Sequence, residues 1–365
     1  MRDLKLAGKF ASFGAEFCEI NGAQAVKSVA GFAQECDALR KGATLTDFSF
    51  VRRFVYDESD GLDFLDGALA QNILKLRYGR IVDTFLASED GEVAAECFVA
   101  NIDDKVYVVA ENIACDSRID GALLQGCPSA KDITCDTVLL SVDGPEAWRV
   151  AKDVCGQDIM NLPYLSIESY DFEGERIQLM RNGKTGEFGY QFLAPVSVAE
   201  KLFDALKLSL DSAGGVLCGV DSVFNARLEG NFFNIYAEGA VVKDPVSLGI
   251  QWMIDMQKDS FPGSDAIFAR RQKGACASLA GVKGANPSVA LPVGGAVFAG
   301  GRKVGDIVSS GFSRILNAPI ALVLFERKYA LAGFDYSTSP DGDLDVSTVS
   351  MPPIIPLSLQ NGLDA

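Results

Sequence analysis

The sequence predicts an α+β protein that ends in a small all-β region. Apolar stretches with strand-like alternation are interspersed with helices of helical periodicity up to about residue 275. Beyond that point the texture changes to short strands punctuated by Gly-Gly, Gly-Arg and Asn-Ala-Pro turns, the pattern of a barrel or sandwich. With 365 residues, 48% of them hydrophobic and 22% charged, the chain is long enough for two or three cores. The division expected from these signals is 1–275 and 276–365.

In chain order, Phe32 to Arg40 reads as a helix that leads into Gly42-Ala43-Thr44-Leu45-Thr46-Asp47-Phe48-Ser49. Asp60 to Leu76 reads as an amphipathic helix with Leu62, Leu65, Leu69 and Ile73 on one core-facing side. Strands follow at Ile81 to Ala87, Cys97 to Asn101 and Val106 to Ala110, with Asn112 just after the last. Val138 to Val142 is a buried strand. Asp143-Gly144-Pro145 opens a helix, with proline at its first position and Gly156 as its stop. Ser197-Val198-Ala199-Glu200 has the form of a capping box for a helix that presents Leu202, Phe203, Leu206 and Leu210. Val289 to Val297, Lys303 to Ser309 and Pro319 to Phe325 are the C-terminal strands, followed by an extended tail carrying Pro352, Pro353 and Pro356.

Composition removes several function classes. The formal charge is −16, which argues against nucleic acid or an anionic membrane as the main partner. The chain has no histidine, so Ser-His-Asp and Cys-His catalysis and histidine-based zinc sites are excluded. Its nine cysteines form no Cys-x-x-Cys pair, so reduced thiols are expected and a metal site is not. The first residues lack the apolar core of a secretory leader, and no apolar run approaches the roughly 20 residues needed to span a bilayer. A cytoplasmic location is the expectation.

The stretch richest in chemistry is Arg181-Asn182-Gly183-Lys184-Thr185-Gly186-Glu187-Phe188-Gly189-Tyr190-Gln191-Phe192. Three glycines at three-residue intervals make a tight, irregular turn between two strand-like segments, and the turn presents one carboxylate, Glu187. Gly183-Lys184-Thr185 has the ending of a phosphate loop, but position 178, where that motif needs glycine, is glutamine. Taken alone, the pattern is better read as a glycine-rich hairpin turn than as a phosphate loop.

This stretch resembles the Arg-x-Gly-Tyr-Thr-Gly-Glu-x-Gly-Tyr/Phe-Glu signature of the aminomethyltransferase family, the T-protein of the glycine cleavage system with its folate-dependent demethylase relatives. Arg181, Gly183, Thr185, Gly186, Glu187, Gly189 and Tyr190 match, and Lys184 stands where the family usually has tyrosine. Ala226-Arg227-Leu228-Glu229-Gly230 resembles a second block of the family. The run from Asp244-Pro245-Val246 through Gly249, Trp252 and Lys258 to Phe261 and Gly263 resembles a third. Val304-Gly305-Asp306-Ile307-Val308-Ser309-Ser310-Gly311 resembles a motif in its C-terminal domain. The implied architecture is a three-lobed clover, two interleaved α+β lobes plus a C-terminal β-barrel around a folate channel.

The resemblance implies tetrahydrofolate as cofactor. Glu187 would read the pterin's amino group and ring N–H, a geometry that suits two carboxylate oxygens. Arg227 would hold a carboxylate of folate or substrate. Thr185, Tyr190 and Asn112 are carried over as further cofactor-binding positions. Trp252 is expected to be buried architecture under a glycine turn. The family's catalytic aspartate pair reads Ala95-Glu96 here, which leaves Glu96 as the candidate catalytic carboxylate with one extra methylene. A shift of about 1 Å at such a group can cost on the order of 10²-fold in rate. A solvated Glu96 on a strand edge is the plainer alternative.

The implied function is tetrahydrofolate-dependent transfer of a methylene or methyl group, from a small-molecule one-carbon donor or a lipoyl-carrier protein. A non-catalytic folate-binding protein of the same fold would give the same binding residues beside an altered catalytic pair.

Overall fold

The computed structural model describes residues 1–112 and 117–360 of the chain. Its centre is an eleven-stranded sheet. One half runs, edge inward, through Val216–Leu217, Thr44–Asp47, Thr137–Asp143, Gly189–Pro195, Glu175–Arg181 and Ser166–Phe172. The other continues through Arg80–Ala87, Val93–Ile102, Lys105–Asn112, Arg52–Asp57 and Lys131–Asp132. The backbones of the halves meet at the Ser166–Arg80 pair and its flanking hydrogen bonds, Ile81 N–H to Leu165 O and Ile167 N–H to Gly79 O. Because Thr44–Asp47 and Arg52–Asp57 lie in opposite halves, the chain interleaves the two.

Each half buries its own face. Helices Ala147–Cys155 and Ala199–Ser212 cover the first, bringing Trp148, Leu202, Phe203, Leu206 and Leu210 into one core. Helix Glu58–Ala68 covers the second over Cys97, Val99, Val108 and Ala110. A third core joins Phe85 and Val93 to Phe233, Met253, Phe261 and the C-terminal sheet residues Ile320 and Leu322. That C-terminal sheet has six antiparallel strands. Phe298 and Ser337 exchange backbone hydrogen bonds of 2.8 and 3.0 Å between its two ends, so it curls into a nearly closed barrel.

The long Arg302–Ser313 and Ala318–Glu326 strands extend beyond the expected ones, whereas the preceding strand is confined to Ala296–Ala299. The expected Asp60 to Leu76 helix stops at Ala68. Lys258 Nζ there takes the carbonyls of Asp66, Leu69 and Gln71, the last two at 2.8 and 2.9 Å. Asp66 Oδ1 accepts the Ile73 N–H at 2.7 Å, so the chain turns into the sheet instead of winding on. The capping box does not form. A 3-10 turn at Val196–Val198 precedes the helix, and Ser197 Oγ donates to Glu175 instead, at 3.1 Å. Pro145 lies two residues before the helix it was expected to begin.

Candidate functional site

Strand alternation decides which side chains meet. Asp83 pairs with Phe98, Phe85 with Glu96, and Glu96 with Glu111, so these five share one face of three adjacent strands. Ala95 and Cys97 point the other way, into the core under helix Glu58–Ala68. Of the two residues standing at the family's aspartate pair, only Glu96 therefore faces the site.

Glu96 is fully buried, not solvated on an edge. Like charges opposite each other on a ladder repel, and Glu96 and Glu111 each need a cation. Lys184, from the glycine-rich turn, places Nζ 2.5 Å from both oxygens of Glu96. Arg227, from helix Val220–Gly230, grips Glu111 bidentately at 2.6 and 2.8 Å. The two departures from the family pattern, Lys184 for tyrosine and Glu96 for aspartate, thus form one ion pair. Burial pushes the Glu96 carboxyl up, with Lys184 opposing it. Burial acts likewise on Glu111, but there Arg227 prevails and holds the group below its ordinary value.

The turn itself is shaped by close backbone approach. A Cβ on Gly183 would sit 2.6 Å from Gly189 Cα, and one on Gly189 would sit 2.4 Å from Gly183 Cα. Only glycine at both positions lets the two strands cross this closely. Thr185 Oγ1 lies 3.5 Å from Asp143 Oδ1, and Tyr190 is buried in the first core with its hydroxyl unpartnered among the described residues.

Beside Glu96 and Lys184 opens a cavity of about 530 Å³. It is bounded by Asp83 and Glu96 from the sheet, Asn231 to Phe233 and Glu238, the Leu248–Met253 segment, and Gly281, Leu322 and Met351 of the C-terminal region. Burial pushes Glu238, which lines it, up to about 7. Trp252 is 60% exposed and forms part of the wall, so the expectation of a buried architectural tryptophan is corrected. It lies three residues after a left-handed glycine, Gly249, in the 3-10 turn Gln251–Met253.

The sequence-derived candidates are not all on this cavity. Glu187 lies behind it with both oxygens engaged: Oε1 accepts from Arg40 and Leu357 N at 3.3 and 3.2 Å, and Oε2 accepts from Ser358 N and Oγ at 2.9 and 2.7 Å. The donors come largely from the tail turn Leu357–Leu359, which nothing local in the sequence ties to Glu187. Arg227 also stays off the cavity, spent on Glu111. Asn112 closes its strand opposite Ala95, and its side chain falls outside the described residues. Asp83 and Glu238 escaped sequence reasoning. Asp83 could have been found from the alternation, since it shares a face with Glu96, whereas Glu238 has no local signal.

Residues 6–258 match the family model described as the GCVT N-terminal domain, more than half of the chain. The chain is 28% identical over 333 residues to an aminomethyltransferase of Mycobacterium leprae, covering 89% of each. It is 25% identical over 298 residues to one of Thermotoga neapolitana, covering 80% of this chain and 81% of the relative. Its fold superposes on the glycine cleavage system aminomethyltransferase T of Bartonella henselae with a TM-score of 0.84 at 20% identity, over 97% of this chain and 98% of the other. The chain belongs to the aminomethyltransferase family, that of the glycine cleavage T-protein.

Proposed function

We propose that the protein is a tetrahydrofolate-dependent one-carbon transferase working in the cavity beside Glu96, on a small-molecule donor. The observation that carries this reading is the Glu96–Lys184 pair. The candidate carboxylate at the family's catalytic position is neither lost nor solvated but held through both oxygens at the cavity wall.

Tetrahydrofolate fits the residues present. The cavity of about 530 Å³ lies within the range of roughly 300–1,000 Å³ for cofactor pockets, and aromatic side chains line it. Phe233 and Trp252 would face the flat ring, and Glu238 is the cavity's own acid for a pterin's donor edge. Glu187 joins them only when the turn Leu357–Leu359 gives up its hydrogen bonds. When bound, the folate supplies the nitrogen that takes up the one-carbon unit. Paired with Lys184, Glu96 presents a fixed, oriented carboxylate at the wall, a polar group that would stabilise charge developing nearby. Lys184 Nζ fixes Glu96 through both oxygens, and Arg227 holds Glu111 out of the cavity. Thr185 and Tyr190 support the turn that delivers Lys184.

The test is turnover beside binding. The protein is incubated with tetrahydrofolate and either an aminomethyl group on a lipoyl-carrier protein or N-, O- and S-linked methyl donors, and the folate products are read by mass spectrometry. Glu96→Gln should keep folate affinity and lose about 10²-fold in rate. Full activity in that variant removes Glu96 from the chemistry. Folate binding without turnover on any donor replaces the transferase with a non-catalytic folate-binding protein.

A further inference from the structure

Where the cavity meets the sheet, three buried acids face two buried cations. Lys184 neutralises Glu96 and Arg227 neutralises Glu111, each through two contacts of 2.8 Å or less. Asp83 is the acid left over. Its side chain lines the cavity, its exposure is 9%, and Oδ1 has no hydrogen-bond partner among the described residues. An unpaired buried carboxylate is costly, so this position calls for a proton or for a cation from outside.

The charged groups acting on Asp83 are Glu96 and Glu111 from the two neighbouring strands, Lys184 from the glycine-rich turn and Arg227 from helix Val220–Gly230. Both cations are already committed. Among the described residues no three acid or thiol side chains are grouped to hold a metal ion. The other walls carry Phe233, Trp252 and a fourth carboxyl, Glu238. Aromatic faces beside a spare acid favour an organic cation.

We propose that this corner of the cavity is a subsite for a protonated secondary or tertiary amine, whose N–H is accepted by Asp83. Asp83 is then the residue that makes the donor an N-linked compound rather than an S- or O-linked one. The word donor rests on the transferase reading above; the amine subsite does not. Burial, and after it the charge of Glu96, holds the Asp83 carboxyl well above its ordinary range. A docked ammonium favours the charged carboxylate, so binding shifts Asp83 toward releasing a proton to the buffer.

The experiment is titration calorimetry on the full chain with N-methylbenzylamine and its uncharged isostere benzyl methyl ether, in phosphate and in Tris at one pH. The expected result is at least tenfold tighter binding of the amine, with a buffer-dependent heat that reports proton release. Asp83→Asn should weaken the amine by roughly 10- to 100-fold, leave the ether unchanged and abolish the proton signal. Asp83→Glu should restore part of the preference. Should Asp83→Asn not fold, the wild-type preference and proton release decide alone. Equal binding of amine and ether, binding of neither, or a preference that survives Asp83→Asn overturns the subsite. Tetrahydrofolate turnover on a thioether donor without amine binding would sink the subsite and leave the transferase standing. Amine binding without any folate binding would do the reverse.

Discussion

Replacing Lys184 by methionine removes the ammonium from Glu96 while keeping most of the side chain's bulk. Glu96 is 0% exposed and Lys184 6%, so the carboxylate loses its one donor among the described residues in a largely desolvated position. Breaking a buried pair from one side costs about 3–5 kcal/mol when the remaining charge must stay charged. The carboxyl has an escape, which is to bind a proton. Burial already raises Glu96 above its ordinary value, and the variant loses the Lys184 charge that opposes this rise. An acid whose folded pKa lies above its unfolded one is stabilising at low pH, and that contribution is lost as pH rises through the folded value. The destabilisation should therefore grow from pH 5.5 to pH 8, away from about 1–2 kcal/mol for lost hydrogen bonds to a neutral group and toward about 3–5 kcal/mol for an unpaired charge. Urea unfolding of wild type, Lys184→Met, Glu96→Gln and the double variant at both pH values gives the coupling directly. At pH 8 the double variant should recover at least about 2 kcal/mol over Lys184→Met. A Lys184→Met protein within about 0.5 kcal/mol of wild type at pH 8 would refute the claim that these residues form a buried, desolvated pair.

Trp252→Ala should leave the urea midpoint unchanged, because the ring is 60% exposed, while weakening tetrahydrofolate in calorimetry by about 0.5–1.5 kcal/mol for a lost ring contact. Gly183→Ala should destabilise by about 1–3 kcal/mol, since its Cβ meets the Gly189 backbone at 2.6 Å and neither strand can yield; a melting temperature equal to wild type counts against that crossing. Glu238 is raised to about 7 from 4.5, so its contribution is full below the unfolded value and is lost as pH climbs through 7. Unfolding free energy should fall by roughly 2–3 kcal/mol more between pH 5 and 8 in wild type than in Glu238→Gln, measured by the same urea titrations.

Local pattern carried much of the fold. Strands such as Arg80–Ala87, Thr137–Asp143 and Glu175–Arg181 stand within a residue or two of where alternation and β-branched runs place them, because burial of one face is a property of the segment itself. Helix Ala199–Ser212 presents the expected apolar side for the same reason. Where a distant side chain intervened, the pattern failed. Leu69 and Ile73 keep helical spacing, but Lys258, nearly 190 residues away, takes the carbonyls that the next turn would have used. The glycine-rich turn was legible as a special backbone, and its lysine was legible as a departure.

What the sequence determined by itself was the set of segments and the facing of side chains within each, since periodicity and the φ demands of glycine act over a few residues. It also determined the chemistry available, which has no histidine and relies on carboxylates and lysine. Which groups face one another was decided only by the tertiary structure. Lys184 meets Glu96 across 88 positions and Arg227 meets Glu111 across 116, Asp83 Oδ1 is left without a hydrogen-bond partner among the described residues, and Glu187 is turned to the tail at Ser358. Pairings of this kind depend on how sheets and loops close around a common cavity, and in the buried interior the short distances that result set the energies.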